Sequence, residues 1–324
     1  MSKKIVVVCG FLNEKHRQQI LDAAGKYGYT AEFFKSNDEA LDKVHDAEII
    51  YAAATSGGHK LAQQAKNLKW FCSISAGVDA LLKPGILSEG CKLSNSSGAY
   101  GLTIAEHMIM VTLMLLRRYP EYDDIVRRHE WQSGLPLRSI KDSRITILGA
   151  GDIGTRYAER LRPFEPVKIV GVSRSGKKRS DAYDEVIAQD KIEEILPQTD
   201  VLAICLPGTS ETDNMISRER LALLPRDAFL INVGRGNALD EDALVEALNS
   251  DKLAGAAIDV MKKEPLPQDS ALWTAKNIII TPHCSGKMTL QYTRDKSVAM
   301  FCEDLANFVA GKKLLRNVDR KLGY

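Results

Sequence analysis

The run Arg144-Ile-Thr-Ile-Leu148 followed at once by Gly149-Ala-Gly-Asp-Ile-Gly154 restricts this chain more than any other segment. A short β-branched strand leads into a G-x-G-x-x-G, and a helical stretch from Thr155 to Leu161 follows. That order opens a βαβ unit able to hold a dinucleotide. Gly149 makes the tight turn, Gly151 lets backbone approach a pyrophosphate, and Gly154 lets helix and strand pack closely. Asp152 and Ile153 lead into the helix N-terminus, whose unpaired N–H groups favour an anion. All five are expected to bind cofactor.

The rest of the chain repeats the same alternation. Ile5–Val8, Ala31–Phe34, Glu48–Ala53 and Trp70–Ser73 are β-rich runs separated by polar or amphipathic stretches. After turn-rich Asn95–Gly101, Thr103–Arg118 reads as one long, mostly apolar helix. Six further strands are expected: Ile145–Leu148, Val167–Val172, Val201–Leu206, Phe229–Val233, Ala256–Val260 and Ile278–Thr281. Parallel strands need crossover connections, so this order argues for an α/β chain. The stretch Thr289–Ala310, with Val298, Phe301, Leu305 and Phe308 on one face, predicts an amphipathic helix. The 324 residues suffice for two doubly wound parallel-sheet domains at roughly 100–200 residues each. The second is inserted into the first if the last helix returns to it.

Several function classes drop out. Lys+Arg 44 against Asp+Glu 42 leaves +2, too even for nucleic-acid binding through net charge. The richest apolar run, Met108–Leu116, falls short of the ~18 residues of a membrane span. Met1-Ser-Lys-Lys before Ile5–Cys9 lacks a leader's cleavage site, and a first strand is expected there. The six cysteines show no CxxC pair or metal spacing, which argues for no metal and a reducing, cytoplasmic setting. Cys284 beside His283 is not read as a nucleophile, since sequence neighbours on a strand or turn point apart.

Three polar segments lie just past later strands: Asn232-Val-Gly-Arg-Gly236, Asp259-Val-Met-Lys-Lys-Glu-Pro-Leu-Pro267 and Thr281-Pro-His-Cys-Ser-Gly286. Ligands of open α/β sheets bind beyond the carboxyl ends of strands, so these segments can converge. Arg235 can grip a carboxylate with two N–H groups. His283 can give a proton to a carbonyl oxygen, and Glu264 can orient its ring and raise its proton affinity. Singly, each has an ordinary explanation: a loop arginine, a solvated glutamate, a turn-capping histidine. Together, in one nucleotide-binding domain, they make a candidate site.

Gly149–Gly154, Val233-Gly-Arg-Gly236, Ala257-Ile-Asp-Val260 with Glu264-Pro-Leu-Pro267, and Thr281-Pro-His283 resemble the D-isomer-specific 2-hydroxyacid dehydrogenase family, nearest its glyoxylate/hydroxypyruvate reductase branch. The resemblance implies reduction of a small 2-oxo acid to the D-2-hydroxy acid. It gives Arg235 to the substrate, His283 the acid–base role and Glu264 the place of its partner. It puts Asp259 on the nicotinamide carboxamide and Leu206, Pro207 and Thr212 under the adenine side. Val233, Gly234, Ser285 and Gly286 go with the cofactor too. Ala76 and Gly77, in Ser75-Ala-Gly-Val-Asp79, offer amides to the substrate carboxylate. Side-chain specificity is placed near Tyr51–Ala54 and Trp131. The implied layout is a Rossmann-type cofactor domain, 101–287, inserted into a flavodoxin-like substrate domain, 1–100 and 288–324. A homodimer through Thr103 to about Leu137 is implied as well, with no nucleic acid and no membrane as partner. The alternative of another class is an NAD(P)-sensing corepressor-like scaffold of the same fold. Such proteins add tails, and this chain stops at Asn317–Tyr324 soon after its last helix. Formate oxidation pairs the histidine with glutamine, which Glu264 argues against.

The choice of nicotinamide cofactor is legible in one loop. An NAD site carries an acid about 20 residues after the glycines, to accept from the ribose 2′-hydroxyl. That place falls near Ser173, and Ser173-Arg-Ser-Gly-Lys-Lys-Arg179 holds no carboxylate. Ser173, Arg174 and Lys177 are suited to a 2′-phosphate instead. NADP(H) is expected over NAD(H).

Overall fold

Runs without polar alternation suit strands covered on both faces, and here they become parallel strands throughout. The structure, a computed structural model, describes residues 3–55 and 57–323. The chain divides into two compact units, Met1–Tyr100 with Lys287–Tyr324, and Gly101–Gly286.

The first unit holds β1 (Lys3–Val8), β2 (Tyr29–Phe34), β3 (Ile49–Ala52), β4 (Trp70–Ser73) and β5 (Lys92–Ser94). Their order, β2-β1-β3-β4-β5, is the flavodoxin-like one. β3 and β4 are buried along their whole length. The last helix, Gln291–Val309, belongs to this unit. Its Phe301 stacks on Tyr51 at 4.5 Å and on Trp70 at 5.4 Å, and its Phe308 on Trp70 at 5.3 Å. After it, the Val318 N–H donates to the Leu93 carbonyl at 2.9 Å. His16 is fully buried and fixes the helix Glu14–Lys26 at its start. Its Nδ1 accepts from the Asn13 N–H (3.3 Å), so Nε2 carries the proton that meets Asp295 Oδ1 at 2.7 Å. That bond ties this helix to Gln291–Val309.

Of the stretch Tyr51–Ala54, the Tyr51 side chain lies inside the unit: its ring is fully buried under Phe301, and its hydroxyl bonds Ser297 Oγ at 2.6 Å. The alternation passed over β5, a three-residue strand beginning with Lys92.

The second unit holds β6 (Arg144–Leu148), β7 (Lys168–Ser173), β8 (Glu185–Ala188), β9 (Val201–Ile204), β10 (Phe229–Asn232), β11 (Gly255–Ile258) and β12 (Ile278–Ile280). The order β12-β11-β10-β9-β6-β7-β8 is the Rossmann arrangement with one strand added at the edge. The added strand, β12, was among the six expected from the sequence, and seven are present. The strand missing from that expectation, β8, is half-buried and opens with Glu185, so no continuous apolar run announces it. Helix Gly101–Leu116 joins helix Asp152–Leu161 through a hydrogen bond between the hydroxyls of Thr112 and Tyr157, 2.7 Å apart. Among the described residues no helix is long and apolar enough to cross a membrane.

Candidate active site

The three glycines of the loop differ in their surroundings. Gly149 has φ 98°, and a Cβ there would sit 2.6 Å from the Cys205 carbonyl oxygen. A Cβ on Gly154 would lie 2.2 Å from the Gly149 oxygen. These two are required by the fold itself. Gly151 is different, because a Cβ there would meet nothing within 4 Å. The space beside it is open, as close approach by a ligand requires. Gly151 precedes helix Asp152–Leu161, and no side chain caps that N-terminus. An N-terminus without a side-chain cap, open space and the dipole of a ten-residue helix suit a pyrophosphate.

The carboxyl ends of β6, β9, β10, β11 and β12 then form a row. Gly149 lies against Cys205, and Gly234 against Leu206, whose carbonyl a Cβ would approach to 2.6 Å. Gly236 is wedged so tightly that a Cβ would fall 1.9 Å from the Met261 carbonyl carbon. Arg235 thus sits on backbone packed directly against the segment leading to Glu264. Fully buried Asn232 braces its loop, accepting from the Gly234 N–H (3.1 Å) and donating to the Arg235 carbonyl (3.1 Å). The Arg235 guanidinium donates to the Gly234 carbonyl at 2.9 Å.

Two carboxylates set the histidine. Glu264 Oε2 lies 2.7 Å from His283 Nδ1, while Glu264 Oε1 accepts from the Met261 N–H at 3.0 Å. Asp259, only 2% exposed, gathers the following turn around itself. Its Oδ1 accepts from the Thr281 hydroxyl (2.5 Å) and the Cys284 N–H (2.8 Å), and its Oδ2 from the Ser285 N–H (3.1 Å) and hydroxyl (2.5 Å). Its carbonyl accepts from the His283 N–H at 2.8 Å. These bonds hold His283 at φ 49°, a backbone region uncommon for a residue with a Cβ. Glu241 adds a third contact, accepting from the Lys262 N–H at 2.6 Å. Burial pushes its carboxyl above the usual range, and the Glu264 charge acts in the same direction.

At the adenine side, Ser173 ends β7 with its hydroxyl oxygen buried and unpartnered. Arg174 and Lys177 follow on the partly exposed loop, and Arg174 Nη2 bonds Glu211 Oε2 at 2.6 Å. The Thr212 hydroxyl is engaged inside its own loop, donating to the Pro207 carbonyl at 2.6 Å. Gly286 closes the turn after Ser285. Gly151, the uncapped helix and the Ser173 hydroxyl together fit a nicotinamide dinucleotide.

In the first unit, side chains take up the carbonyls of the loop after β4. Ser73 Oγ donates to the Ser75 carbonyl (3.0 Å), Asn95 Nδ2 to that of Ala76 (2.8 Å) and Ser75 Oγ to that of Gly77 (3.1 Å). The half-buried backbone at Ala76 and Gly77 is thereby fixed in shape.

Sequence reasoning assigned no work to Asn232, Glu241 or Glu211. Asn232, last residue of a buried strand yet polar, was the one readable signal. Glu241 and Glu211 look like ordinary charged loop and helix-start residues.

Residues 109–285 match the family described as D-isomer specific 2-hydroxyacid dehydrogenase, NAD binding domain. The glyoxylate/hydroxypyruvate reductase A of Klebsiella pneumoniae (strain 342) is 31% identical over 269 residues, 81% of this chain and 83% of the relative. A D-isomer specific 2-hydroxyacid dehydrogenase family protein from Aeromonas salmonicida superposes with a TM-score of 0.86 at 32% identity, over 99% of this chain and 100% of that one. The NADPH-dependent glyoxylate/hydroxypyruvate reductase of Sinorhizobium meliloti, solved with NADP and sulfate, gives 0.84 at 26% identity, with both chains covered fully.

Proposed function

The chain belongs to the D-isomer specific 2-hydroxyacid dehydrogenase family, and on that premise we propose that it reduces a small 2-oxo acid with NADPH, His283 being the acid–base. It is an NAD(P)-dependent enzyme of that class. The observation that carries the finer reading is the 2.7 Å contact of His283 Nδ1 with Glu264 Oε2, in the unit that also bears Arg235 and the glycine loop.

Gly149, Gly151, Asp152, Ile153 and Gly154 would hold the pyrophosphate, and Leu206, Pro207, Thr212, Val233, Gly234, Ser285 and Gly286 the flanking parts of the cofactor. Ser173, Arg174 and Lys177 would take the 2′-phosphate. Bound there, the nicotinamide supplies the hydride. Glu264 keeps the His283 Nδ1–H in place and balances the charge of the doubly protonated ring, leaving Nε2 to give its proton to the substrate oxygen. Arg235 offers the substrate carboxylate a planar pair of N–H donors. Ala76 and Gly77 supply amide donors to the substrate, as small residues allow. Asp259 is proposed to meet the carboxamide while organising the Thr281–Ser285 turn.

Small substrates of the glyoxylate and hydroxypyruvate type suit this reading, following the names of its relatives. A homodimer is proposed through helix Tyr119–Arg127 and the segment after it, where Val126, Leu137 and the fully exposed Trp131 lie. A cytoplasmic location is proposed on its six free cysteines. The test is steady-state NADPH oxidation with 2-oxo acids of increasing size. Turnover with small members supports the proposal; no oxidation with any of them, from folded protein, overturns it.

A further inference from the structure

Arg174 and Glu211 form an ion pair between two loops at the sheet's carboxyl edge. Arg174 follows β7, Glu211 lies in the loop after β9, and Nη2 and Oε2 are 2.6 Å apart. The side chains are 42% and 55% exposed, so both are open to an incoming solute. The Glu211 backbone is anchored as well: Gln189, just past β8, donates through Nε2 to its carbonyl at 3.4 Å.

We propose that Glu211 moderates the preference for NADP(H) by holding the Arg174 guanidinium that the 2′-phosphate must take over. The inference rests on the reading that Arg174 receives that phosphate. A carboxylate and a phosphate want the same planar fork of N–H donors. The phosphate carries more charge and more acceptor oxygens, so it prevails, but only by breaking the existing pair. The displaced carboxylate then stays near a group of its own sign, because the loop is tied through Gln189. NAD(H) brings a neutral hydroxyl at the same place and has no need of the guanidinium. Glu211 therefore weakens the phosphorylated cofactor alone and narrows the gap between the two. An exposed ion pair is weak, so the penalty is a modest factor.

The experiment is calorimetric titration of the intact protein with NADP+, NAD+ and 2′,5′-ADP, for the unmodified chain and for E211Q, E211A, R174A and the double variant R174A/E211Q. E211Q and E211A should tighten NADP+ and 2′,5′-ADP about two- to fivefold and leave NAD+ unchanged. In the R174A background most of the gain should disappear, since no guanidinium remains to be released and only the repulsion between carboxylate and phosphate is relieved. Selective loss of NADP+ affinity in R174A with no tightening in either Glu211 variant would overturn this proposal and leave the Arg174 reading standing. Equal weakening of NADP+ and NAD+ in R174A would overturn the Arg174 reading itself.

Discussion

His283 and Glu264 meet at 2.7 Å, Nδ1 to Oε2, with both side chains still partly open to solvent at 46% and 34%. The carboxylate engages one ring nitrogen, and the other is the one that can trade a proton with a substrate. His283→Ala should lower kcat by roughly a hundredfold to ten-thousandfold, the usual worth of general acid–base catalysis. NADP+ binding should survive, since no cofactor contact is proposed for that ring. Single-turnover rates and calorimetry on one preparation check both halves, and an undiminished rate removes His283 from the mechanism.

Glu264→Gln keeps an acceptor for the Nδ1–H and removes only the charge. Exchanging a charge-assisted hydrogen bond for a neutral one, a difference of about 1–1.5 kcal/mol, predicts a fall in kcat of roughly five- to tenfold. Single-turnover rates of the variant and the parent decide; an undiminished rate would show that the charge of Glu264 is not what matters.

Arg235→Lys retains the positive charge and loses the planar fork. A drop in kcat/KM of roughly ten- to hundredfold is expected, with KM for the 2-oxo acid raised. Saturation curves against the acid show it, and a KM like that of the parent would mean that Arg235 does not bind the carboxylate.

Stability should fall with acidification through His107. Burial on helix Gly101–Leu116 holds its imidazole below the ordinary 6.5, an effect the Asp259 charge opposes. The folded protein therefore binds this proton later than the unfolded chain does. The penalty is absent above pH 6.5, grows as pH drops below it, and is complete once the folded ring is protonated too. His107→Gln removes that contribution, so its urea midpoint should decline less than the parent's between neutral and mildly acid pH. Parallel declines would exclude His107 as a source.

Gly236→Ala should injure stability and turnover together. Its methyl would fall 1.9 Å from the Met261 carbonyl carbon, so backbone carrying Arg235 or Glu264 must shift. A cost of about 1–3 kcal/mol is expected for such overpacking, read from the urea midpoint. A midpoint and kcat both unchanged would show that the two segments yield without strain.

What could be read in the sequence follows from what is local. β6 with its glycine turn and helix is one continuous pattern, and Trp70–Ser73 is a buried strand with the very limits its apolar run has. β5 and β8 are edge strands of three and four residues opening on Lys92 and Glu185, and only pairing makes them strands. Arg235, Glu264 and His283 could be proposed because strand ends collect ligands. That Asp259 would spend its oxygens on Thr281, Cys284 and Ser285 depends on how one turn folds over another, and spacing alone does not disclose it. Glu211 and Glu241 meet their partners 37 and 21 residues away, beyond any periodic signal.

The aromatic stack of the first unit has a consequence for synthesis. All strands of the second unit are encoded between residues 144 and 280, so its sheet can close once that stretch has left the ribosome. The first unit's five strands are finished by Ser94, yet Tyr51 and Trp70 must wait for Phe301 and Phe308. Roughly 230–250 residues separate them, an interval on the order of ten to fifty seconds at ordinary elongation rates. Throughout that interval the beginning of the chain carries two large rings without their stacking partners. The part made first is thus the part completed last, and it is where a nascent chain of this protein most needs a chaperone.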